Sequence, residues 1–307
     1  MSEAAQDFCV VTGAFGYTGK YIARRLLAAG RRVKTLTGHP ESGGEFGDRI
    51  SVAPLVFDDP PKLVESLRGA SVLFNTFWMR FAYGKVTYDQ AVANSRTLIR
   101  AAEDAGVKRI VHVGVTNPSE DSPLPYFKGK AMVEKAIKAS KLTYAILRPA
   151  VIFGPDDVLI NNIAWLLRKF RVFPVPGSGD YKVQPVFVED LAELAVTIAE
   201  REDNVVVNAV GPEVYTFNDL IRMLGQAIGV RVGVVHLNPT LGLFMASVAG
   251  RLVGDVIIQK WEIDGMEAGL FVCEGEATGR TRLSEWLSQN APRVGRTYYS
   301  EMARHYR

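Results

Sequence analysis

Cysteine is scarce in this sequence, since its 307 residues contain only Cys9 and Cys273, far apart along the chain. Two isolated cysteines argue against a disulfide framework, and their spacing is not that of a zinc site. Cys9 lies in an apolar run, where it is interpreted as a small core residue. We therefore expect a reducing compartment, a cytoplasmic location and no metal ion.

The sequence also lacks a strong excess of one charge. Its 36 Lys and Arg against 33 Asp and Glu give a net charge of +3, too small to predict a nucleic acid or a membrane as partner. No basic segment followed by an apolar run marks the N-terminus, so no signal peptide is expected. The longest apolar run, 241–253, is too short for a membrane span and contains Arg251, so we predict a buried helix there.

What the sequence does contain is a glycine turn between a strand and a helix. The apolar run 8–11 predicts a buried strand, and 21–29 is apolar at helical spacing. Between them, Gly13 is expected to allow a tight turn, Gly16 to let the backbone approach phosphates, and Gly19 to let the helix pack closely. Strand, turn and helix in this order direct backbone N–H groups and a helix dipole at a pyrophosphate, which predicts a dinucleotide site.

Strands and helices then alternate along the first half of the chain. The predicted elements are strands at 32–37, 51–57, 71–76 and 109–115 and helices at 62–68 and 89–105. Such alternation is typical of parallel strands joined by crossover helices, with ligands bound at the carboxyl ends of the strands. We predict an α/β fold, a Rossmann-type doubly wound parallel sheet with a smaller, mostly helical C-terminal substrate domain.

The residues after the second strand bear on the choice of cofactor. An NAD site usually has Asp or Glu there, whereas this chain has Thr37, Gly38 and His39. No carboxylate repels a 2′-phosphate and Thr37 and His39 can donate to one, which favours NADP over NAD; alternatively, both are simple turn residues. Asp58, past the third strand, can reach the adenine amino group, and the aromatic stretch 77–81 is either core or faces a substrate.

Tyr126 and Lys130 are the residues that suggest chemistry. They begin a helix predicted to run to 140, and their spacing of four places them on one helix face. A nearby ammonium and a cationic nicotinamide both lower the pKa of a phenol from its ordinary value near 10. Tyr126 can then exchange a proton with a substrate oxygen while hydride moves to or from the ring. The alternative is chance, because the chain contains eleven tyrosines.

Taken together, these motifs resemble the extended or atypical short-chain dehydrogenase/reductases, in particular the NmrA-like members and the complex I accessory subunit of this fold. The resemblance covers about residues 8–220 and rests on the glycine turn 12–19, Tyr126-x-x-x-Lys130, the Arg-Pro segment 148–154, Asn94 as the family's helix Asn, and the strand-to-helix step 186–191. It implies a general acid/base role for Tyr126, while Lys130 tunes that phenol and holds the cofactor's ribose.

The resemblance also implies which residues contact the cofactor. They are Gly13, Phe15, Gly16, Tyr17, Gly19, Thr37, His39, Asp58, Asn75, Thr76, Phe77, Val113, Tyr126, Lys130, Pro149 and Val151. One departure concerns the end of the fifth strand, where the family often has a Ser that orients the substrate carbonyl and this chain has Gly114. Thr116, Ser119 or Ser122 can supply a hydroxyl, and Thr116 is nearest. Loss of one preorganised donor costs ~100- to 1000-fold in rate, so Gly114 bears on carbonyl chemistry and not on cofactor binding.

The second half of the chain carries fewer motifs. The predicted elements are strands at 141–147 and 204–210, helices at 161–170 and 217–228, and a turn-rich loop at 173–180. The predicted domains are a dinucleotide-binding domain, 1–153 with 184–212 returning to it, and a substrate domain, 154–183 with 213–307. The substrate is expected near Trp78, Asn162 and Gln184. Asn161 and Asn162 stand at the start of their predicted helix, where capping it is favoured over pointing at a ligand.

Three functions remain open from the sequence. The first is an NAD(P)-dependent oxidoreductase acting on a small organic substrate through Tyr126 and Lys130. The second is a sensor or structural subunit that binds the dinucleotide without turnover, which Gly114 favours. The third, an epimerase or dehydratase of nucleotide sugars, lacks a clear basic pair for the nucleotide. The helices at 89–105 and 127–140 are long enough to form the face of a homodimer.

Overall fold

The computed structural model describes residues 7–39, 44–84 and 86–305, which fall into two compact units. The first unit contains the described residues up to Pro149 together with Leu191–Asn208. The second contains Ala150–Asp190 and the described residues from Ala209 onward. The domains predicted from the sequence begin and end at other residues than these two units. The predicted domains stay a prediction.

The elements follow in chain order. The strands are β1 Phe8–Thr12, β2 Val33–Thr37, β3 Ile50–Pro54, β4 Ala70–Asn75, β5 Arg109–Val113, β6 Thr143–Pro149, β7 Val151–Phe153, β8 Val172–Pro176, β9 Lys182–Val183, β10 Pro185–Phe187, β11 Val205–Ala209, β12 Tyr215–Thr216 and β13 Gly233–Leu237. The helices are α1 Tyr17–Ala28, α2 Pro60–Leu67, α3 Tyr88–Asp104, α4 Pro125–Lys138, α5 Leu159–Phe170, α6 Val188–Ala199, α7 Phe217–Ala227, α8 Pro239–Val253, α9 Lys260–Glu267, α10 Leu283–Asn290 and α11 Glu301–His305.

The first unit is built on a seven-stranded parallel sheet in the order β11-β6-β5-β4-β1-β2-β3. From β1 the chain moves outward to β2 and β3, then crosses back to β4 and continues the other way. Because right-handed crossovers place the helices of the two halves on opposite faces, a crevice opens at the carboxyl ends of β1 and β4. The predicted α/β class and parallel Rossmann sheet are confirmed.

One face of this sheet carries the main apolar core. Helices α2, α3 and α4 pack side by side there, and Leu98, Ile110 and Ile137 are completely buried in the cluster that they form with the strands. Side chains cap two of these helices, since Asp59 accepts from the N–H of Lys62 and Thr87 from that of Gln90. These caps satisfy N–H groups that a helix start otherwise leaves without partners.

The second unit combines helices with three two-stranded sheets, β7–β10, β8–β13 and β9–β12. The sequence prediction of a loop at 173–180 was wrong for its first half, because β8 is a strand parallel to β13. Pro174 and Pro176 indicated turns, but in a two-stranded ribbon a missing N–H removes no hydrogen bond on the unpaired side.

Two further predictions in this unit need correction. Asn161 and Asn162 do not cap α5, whose N-cap is Val158. The apolar run 241–253 forms α8 as a helix, but Leu241 and Phe244 are 49% and 66% exposed, so its outer face is not buried. Nowhere in the described ranges is there a helix with both the length and the apolar character needed to cross a bilayer.

Candidate functional site

The glycine turn between β1 and α1 is held rigidly from both sides. Gly13 has φ +68°, which favours glycine, and its N–H donates to the carbonyl of Leu36 at 2.8 Å. A Cβ on Gly19 would lie 2.3 Å from the carbonyl oxygen of Gly13, so only glycine allows α1 to approach the turn this closely. The hydroxyl of Thr35 donates to the carbonyl of Val11 and accepts from the N–H of Ala14, both at 3.0 Å.

The start of α1 fits a dinucleotide pyrophosphate. Gly16 is the N-cap, and no side chain caps the helix. The amides of the first turn are therefore not covered by a capping side chain, and the helix dipole adds positive potential at the same place. Phe15 and Tyr17 flank this position and are both half-buried.

Polar side chains join the ends of β1 and β4 at the point where the strand order reverses. The hydroxyl of Thr12 accepts from the N–H groups of Thr76 and Phe77 at 2.8 and 3.1 Å. In return, the Thr76 hydroxyl donates to the carbonyl of Thr12 at 2.5 Å, and the Asn75 carboxamide oxygen accepts from Phe77 N–H. These bonds fix three predicted cofactor residues beside the glycine turn.

A pocket of about 410 Å³ opens beside this junction. It is lined by Leu55, Val56, Phe57, Asp58, Gln90 and Asn94. Strand β3 ends at Pro54 rather than at the predicted 57, which leaves the next four residues to line the pocket. Asp58 and Asn94, both singled out from the sequence, therefore share one cavity, and Phe57 packs on Phe77 with ring centroids 4.8 Å apart.

The residues that the sequence associated with the 2′-phosphate differ in accessibility. Thr37 is buried, and its hydroxyl accepts from the N–H of His39. His39 and Gly38 are exposed, and a Cβ on Gly38 would meet nothing within 4 Å. Position 38 thus has room for a larger side chain.

This room leads to a prediction about cofactor selectivity. Gly38→Arg should raise the ratio of NADPH to NADH affinity about tenfold or more, because one charge-assisted hydrogen bond contributes ~1.5–3 kcal/mol. Gly38→Asp should shift the ratio in the opposite direction by repelling the phosphate. Calorimetric titration with both cofactors measures the ratio, and Gly38→Ala serves as the control. Equal ratios in the Arg and Asp variants would show that position 38 does not face the ribose.

Lys130 is buried at the centre of the second group of predicted residues. It is 3% exposed, and its Nζ donates to the carbonyl of Val113 at 2.9 Å and lies 4.8 Å from the ring centroid of Trp78. Burial lowers the pKa of the Lys130 ammonium to about 7, although the Glu134 carboxylate opposes this shift. One turn earlier on α4, Tyr126 meets the rings of Trp78 and Tyr88 edge-on, each at 6.1 Å. The Trp78 indole N–H is buried without a hydrogen-bond partner among the described residues.

Sequence reasoning missed a buried ion pair beside this group. Glu134 is 2% exposed and accepts two hydrogen bonds from the guanidinium of Arg148, at 3.0 and 2.6 Å. A Cβ on Gly114 would lie 3.0 Å from the Glu134 carboxylate, so the pair borders the space that a side chain at position 114 would need. The signal was the spacing, since Tyr126, Lys130 and Glu134 lie at i, i+4 and i+8 on one helix face.

His112 is a second residue that the sequence did not single out. It is completely buried on β5, next to Asn75 on β4, and Asn75 Nδ2 lies 3.1 Å from its Nδ1. The Asn75 carboxamide oxygen accepts from Phe77 N–H, so its nitrogen faces the imidazole, while Nε2 is buried without a hydrogen-bond partner among the described residues. Burial lowers the pKa of His112 well below its usual range, and the charge of Lys130 acts in the same direction. His112 is therefore a neutral imidazole beside the predicted cofactor residues.

The remaining predicted residues lie in less accessible surroundings. Thr116 is completely buried, and its N–H donates to the carbonyl of Pro149. In the second unit, Asn162 bonds the backbone N–H and carbonyl of Tyr299. Gln184 bonds the carbonyl of Gly211 and the N–H of Cys273, and Val151 lies on β7. A substrate role for either carboxamide requires these backbone bonds to open.

Comparison with known proteins adds a family to this geometry. Residues 13–159 match the family model described as NAD(P)H-binding. The chain is 27% identical over 244 residues to the mitochondrial NADH dehydrogenase [ubiquinone] 1 alpha subcomplex subunit 9 of Arabidopsis thaliana, covering 74% of this chain but only 59% of that subunit. It is 26% identical to the ceramide reductase of Caulobacter vibrioides, covering 80% of this chain and 78% of the reductase.

A solved structure confirms the fold. The triphenylmethane reductase of a Citrobacter species, in complex with NADP(H), superposes with a TM-score of 0.76 and 21% identity, covering 92% of this chain and 99% of the reductase. At this identity the likeness concerns the fold alone.

Proposed function

Because the chain belongs to the NAD(P)H-binding, atypical short-chain dehydrogenase/reductase family, we propose that it is an NAD(P)H-dependent reductase of a small organic substrate. The observation that carries the proposal is the position of Tyr126, one helical turn before the buried Lys130 and against Trp78. The ceramide reductase among its relatives supports a reductase.

The residues that would hold the cofactor lie along the crevice at the carboxyl ends of β1 and β4. Gly13, Gly16 and the first turn of α1 would bind the pyrophosphate through backbone N–H groups. The pocket that contains Asp58 and Asn94 would take the adenine. Thr76, Phe77 and Lys130 would contact the remaining part of the dinucleotide. A bound nicotinamide supplies or accepts the hydride.

The proton is the part that this chain's own side chains would handle. The Tyr126 hydroxyl would donate a proton to the substrate oxygen as negative charge develops there, and an adjacent ammonium on Lys130 would stabilise the phenolate that results. With its pKa near 7, Lys130 changes charge close to neutrality. The rings of Trp78 and Tyr88 around Tyr126 would exclude water from this transfer.

The test is substrate-dependent oxidation of NADPH and NADH by a panel of ketones, quinones and dyes. Wild type should oxidise the cofactor with at least one of them, and Tyr126→Phe should lower kcat by at least ~100-fold, because a positioned acid contributes that much. Tyr144→Phe is the matched control, since Tyr144 lies near the amino end of β6, away from the site. Unchanged turnover in Tyr126→Phe would contradict the assignment.

A non-catalytic NAD(P)H-binding subunit is the second candidate. It is favoured by Gly114, whose side-chain space the Glu134 carboxylate borders, and by the burial of Thr116, the nearest alternative hydroxyl. The relative from Arabidopsis thaliana is, by its name, one subunit of a larger enzyme. Cofactor binding without oxidation by any compound of the panel would support this candidate against the first.

The preference for NADP(H) over NAD(H) belongs to the same proposal. The exposed His39 can donate to a 2′-phosphate, and no carboxylate lies at positions 37–39. The NADP(H) complex of the Citrobacter reductase supports it. The homodimer and the cytoplasmic location stay predictions.

A further inference from the structure

Helix α8 exposes a row of large apolar side chains to solvent. Leu241, Phe244, Met245 and Val248 are each between 42% and 66% exposed. Their spacing of i, i+3, i+4 and i+7 places them on one face of the helix. The opposite face of α8 packs on β8, where Gly242 lies against Pro176. An exposed apolar row of this size marks an interaction surface rather than ordinary scatter.

The ribbon beneath α8 extends this row. Val172, Pro174 and Pro176 alternate onto one side of β8, and α8 covers only the last of them. Val235 pairs with Pro174 and is exposed, as is Val172, and Phe170 just before β8 is 64% exposed. We call this surface the apolar face; it comprises Phe170, Val172, Val235, Leu241, Phe244, Met245 and Val248.

The segments that form the apolar face carry basic side chains in excess. Residues 165–179 and 229–254, which form it, include five Lys or Arg and no Asp or Glu, although the whole chain is nearly balanced. Of the five, Lys169, Arg171, Arg231 and Arg251 are exposed. Asp180 and Asp255 follow directly after these two ranges; Asp180 is exposed, whereas Asp255 is buried and accepts hydrogen bonds from the Tyr298 hydroxyl and the Met302 N–H. The net charge of +3 conceals this local asymmetry.

We propose that the apolar face docks onto an anionic membrane surface, with α8 lying in the plane of the interface. Helix α8 has 15 residues, about 22 Å at about 1.5 Å each, so it is too short to cross a hydrocarbon layer of about 30 Å. An apolar face with aromatic and aliphatic side chains flanked by Lys and Arg is the pattern of interfacial helices.

A second copy of the chain is the less favourable occupant. In a symmetric dimer the same surface contacts itself, so the basic flanks of the two copies would approach each other, and like charges across an interface oppose binding. Anionic lipid headgroups would instead neutralise these flanks. The proposal is independent of the function proposed above, since no residue of the apolar face belongs to the candidate site.

The test is flotation of the whole protein with vesicles of phosphatidylcholine alone and of phosphatidylcholine with phosphatidylserine. Wild type should float with the second kind, and added salt should weaken this binding. Phe244→Ser should lower the partition coefficient about tenfold or more, and Arg251→Gln about fivefold. Val248→Ser is a milder variant. Its control is Val214→Ser, because Val214 lies in the same unit but outside the apolar face and is 50% exposed, against 42% for Val248.

Three outcomes would overturn the proposal. The first is no binding of wild type to either vesicle at low salt. The second is equal loss of binding in Val248→Ser and Val214→Ser. The third is self-association of wild type that Phe244→Ser abolishes, without vesicle binding, which would make the apolar face a contact between copies. NAD(P)H affinity and thermal unfolding of each variant confirm that it is folded.

Discussion

Replacing Gly19 with alanine is expected to weaken NAD(P)H binding by at least ~100-fold, since losing two hydrogen bonds to charged phosphates removes about 3 kcal/mol or more. The new Cβ would lie 2.3 Å from the carbonyl oxygen of Gly13. A backbone atom cannot swing aside as a side chain does, so either α1 or the glycine turn must move. Both hold N–H groups in the direction of the pyrophosphate. Calorimetric titration with NADPH measures the loss.

Two companion variants separate binding from folding. Gly38→Ala adds a methyl group that meets nothing within 4 Å, so it should leave binding unchanged. Gly16→Asp places a good N-cap residue before α1 and should keep or raise thermal stability, while its carboxylate repels the phosphates and abolishes binding. Wild-type affinity in both Gly19→Ala and Gly16→Asp would mean that the turn is only architecture.

The sequence was sufficient for the class of fold and for the glycine turn because both depend on local patterns. Apolar runs of strand length alternating with amphipathic helices predicted parallel strands, and the spacing of Gly13, Gly16 and Gly19 predicted the turn. Alternation alone does not say that the chain returns across β1 to place β4 beside it. That crossing joins Thr12 to Thr76 across 64 residues. This order of the strands is part of the doubly wound sheet, which the family resemblance implied.

The errors arose where a local pattern has two structural solutions. Pro174 and Pro176 are as compatible with one strand of an isolated ribbon as with a loop. The run 241–253 is apolar on both faces of its helix, and the sequence predicted burial for both. Packing decides such cases, because Gly242 brings one face against Pro176 while Phe244 remains 66% exposed.

The candidate site divides in the same way. Tyr126 and Lys130 were found because their spacing of four is local. Asp58 was found because it follows a predicted strand, and Asn94 because it resembles the family's helix Asn. Glu134 was missed although it continues the Tyr126–Lys130 spacing on α4. Its role depends on Arg148 in β6, and two residues 14 positions apart on different elements leave no periodic signal in a single sequence.

The pair that was missed carries the second large prediction. Glu134→Gln should reduce the free energy of unfolding by about 3 kcal/mol or more, because it leaves the Arg148 guanidinium without its charged partner in a buried setting. Glu134 is 3% exposed at its side chain and Arg148 25%, so water replaces little of the lost interaction. Denaturant unfolding followed by circular dichroism measures the change.

The matched control is Glu120→Gln. Glu120 also pairs with a cation, Lys135, at 2.9 Å, but the side chains are 46% and 68% exposed. An exposed pair of this kind contributes at most about 1 kcal/mol, so the same chemical substitution should have a small effect there. Equal losses in the two variants would show that burial does not strengthen the Glu134–Arg148 pair.

A double variant separates the effect of the Glu134–Arg148 pair on stability from the effect of Glu134 on the pKa of Lys130. Glu134→Gln with Arg148→Met removes both charges, and it should recover part of the stability lost in Glu134→Gln alone, because most of that loss comes from the unpaired guanidinium. The pKa of Lys130 should not recover in the double variant. The Glu134 carboxylate raises the pKa of the Lys130 ammonium against the effect of burial, so in both variants that pKa should fall further below about 7. A pH profile of turnover that keeps its wild-type midpoint in both would show that Glu134 serves the fold and not the chemistry of Tyr126 and Lys130.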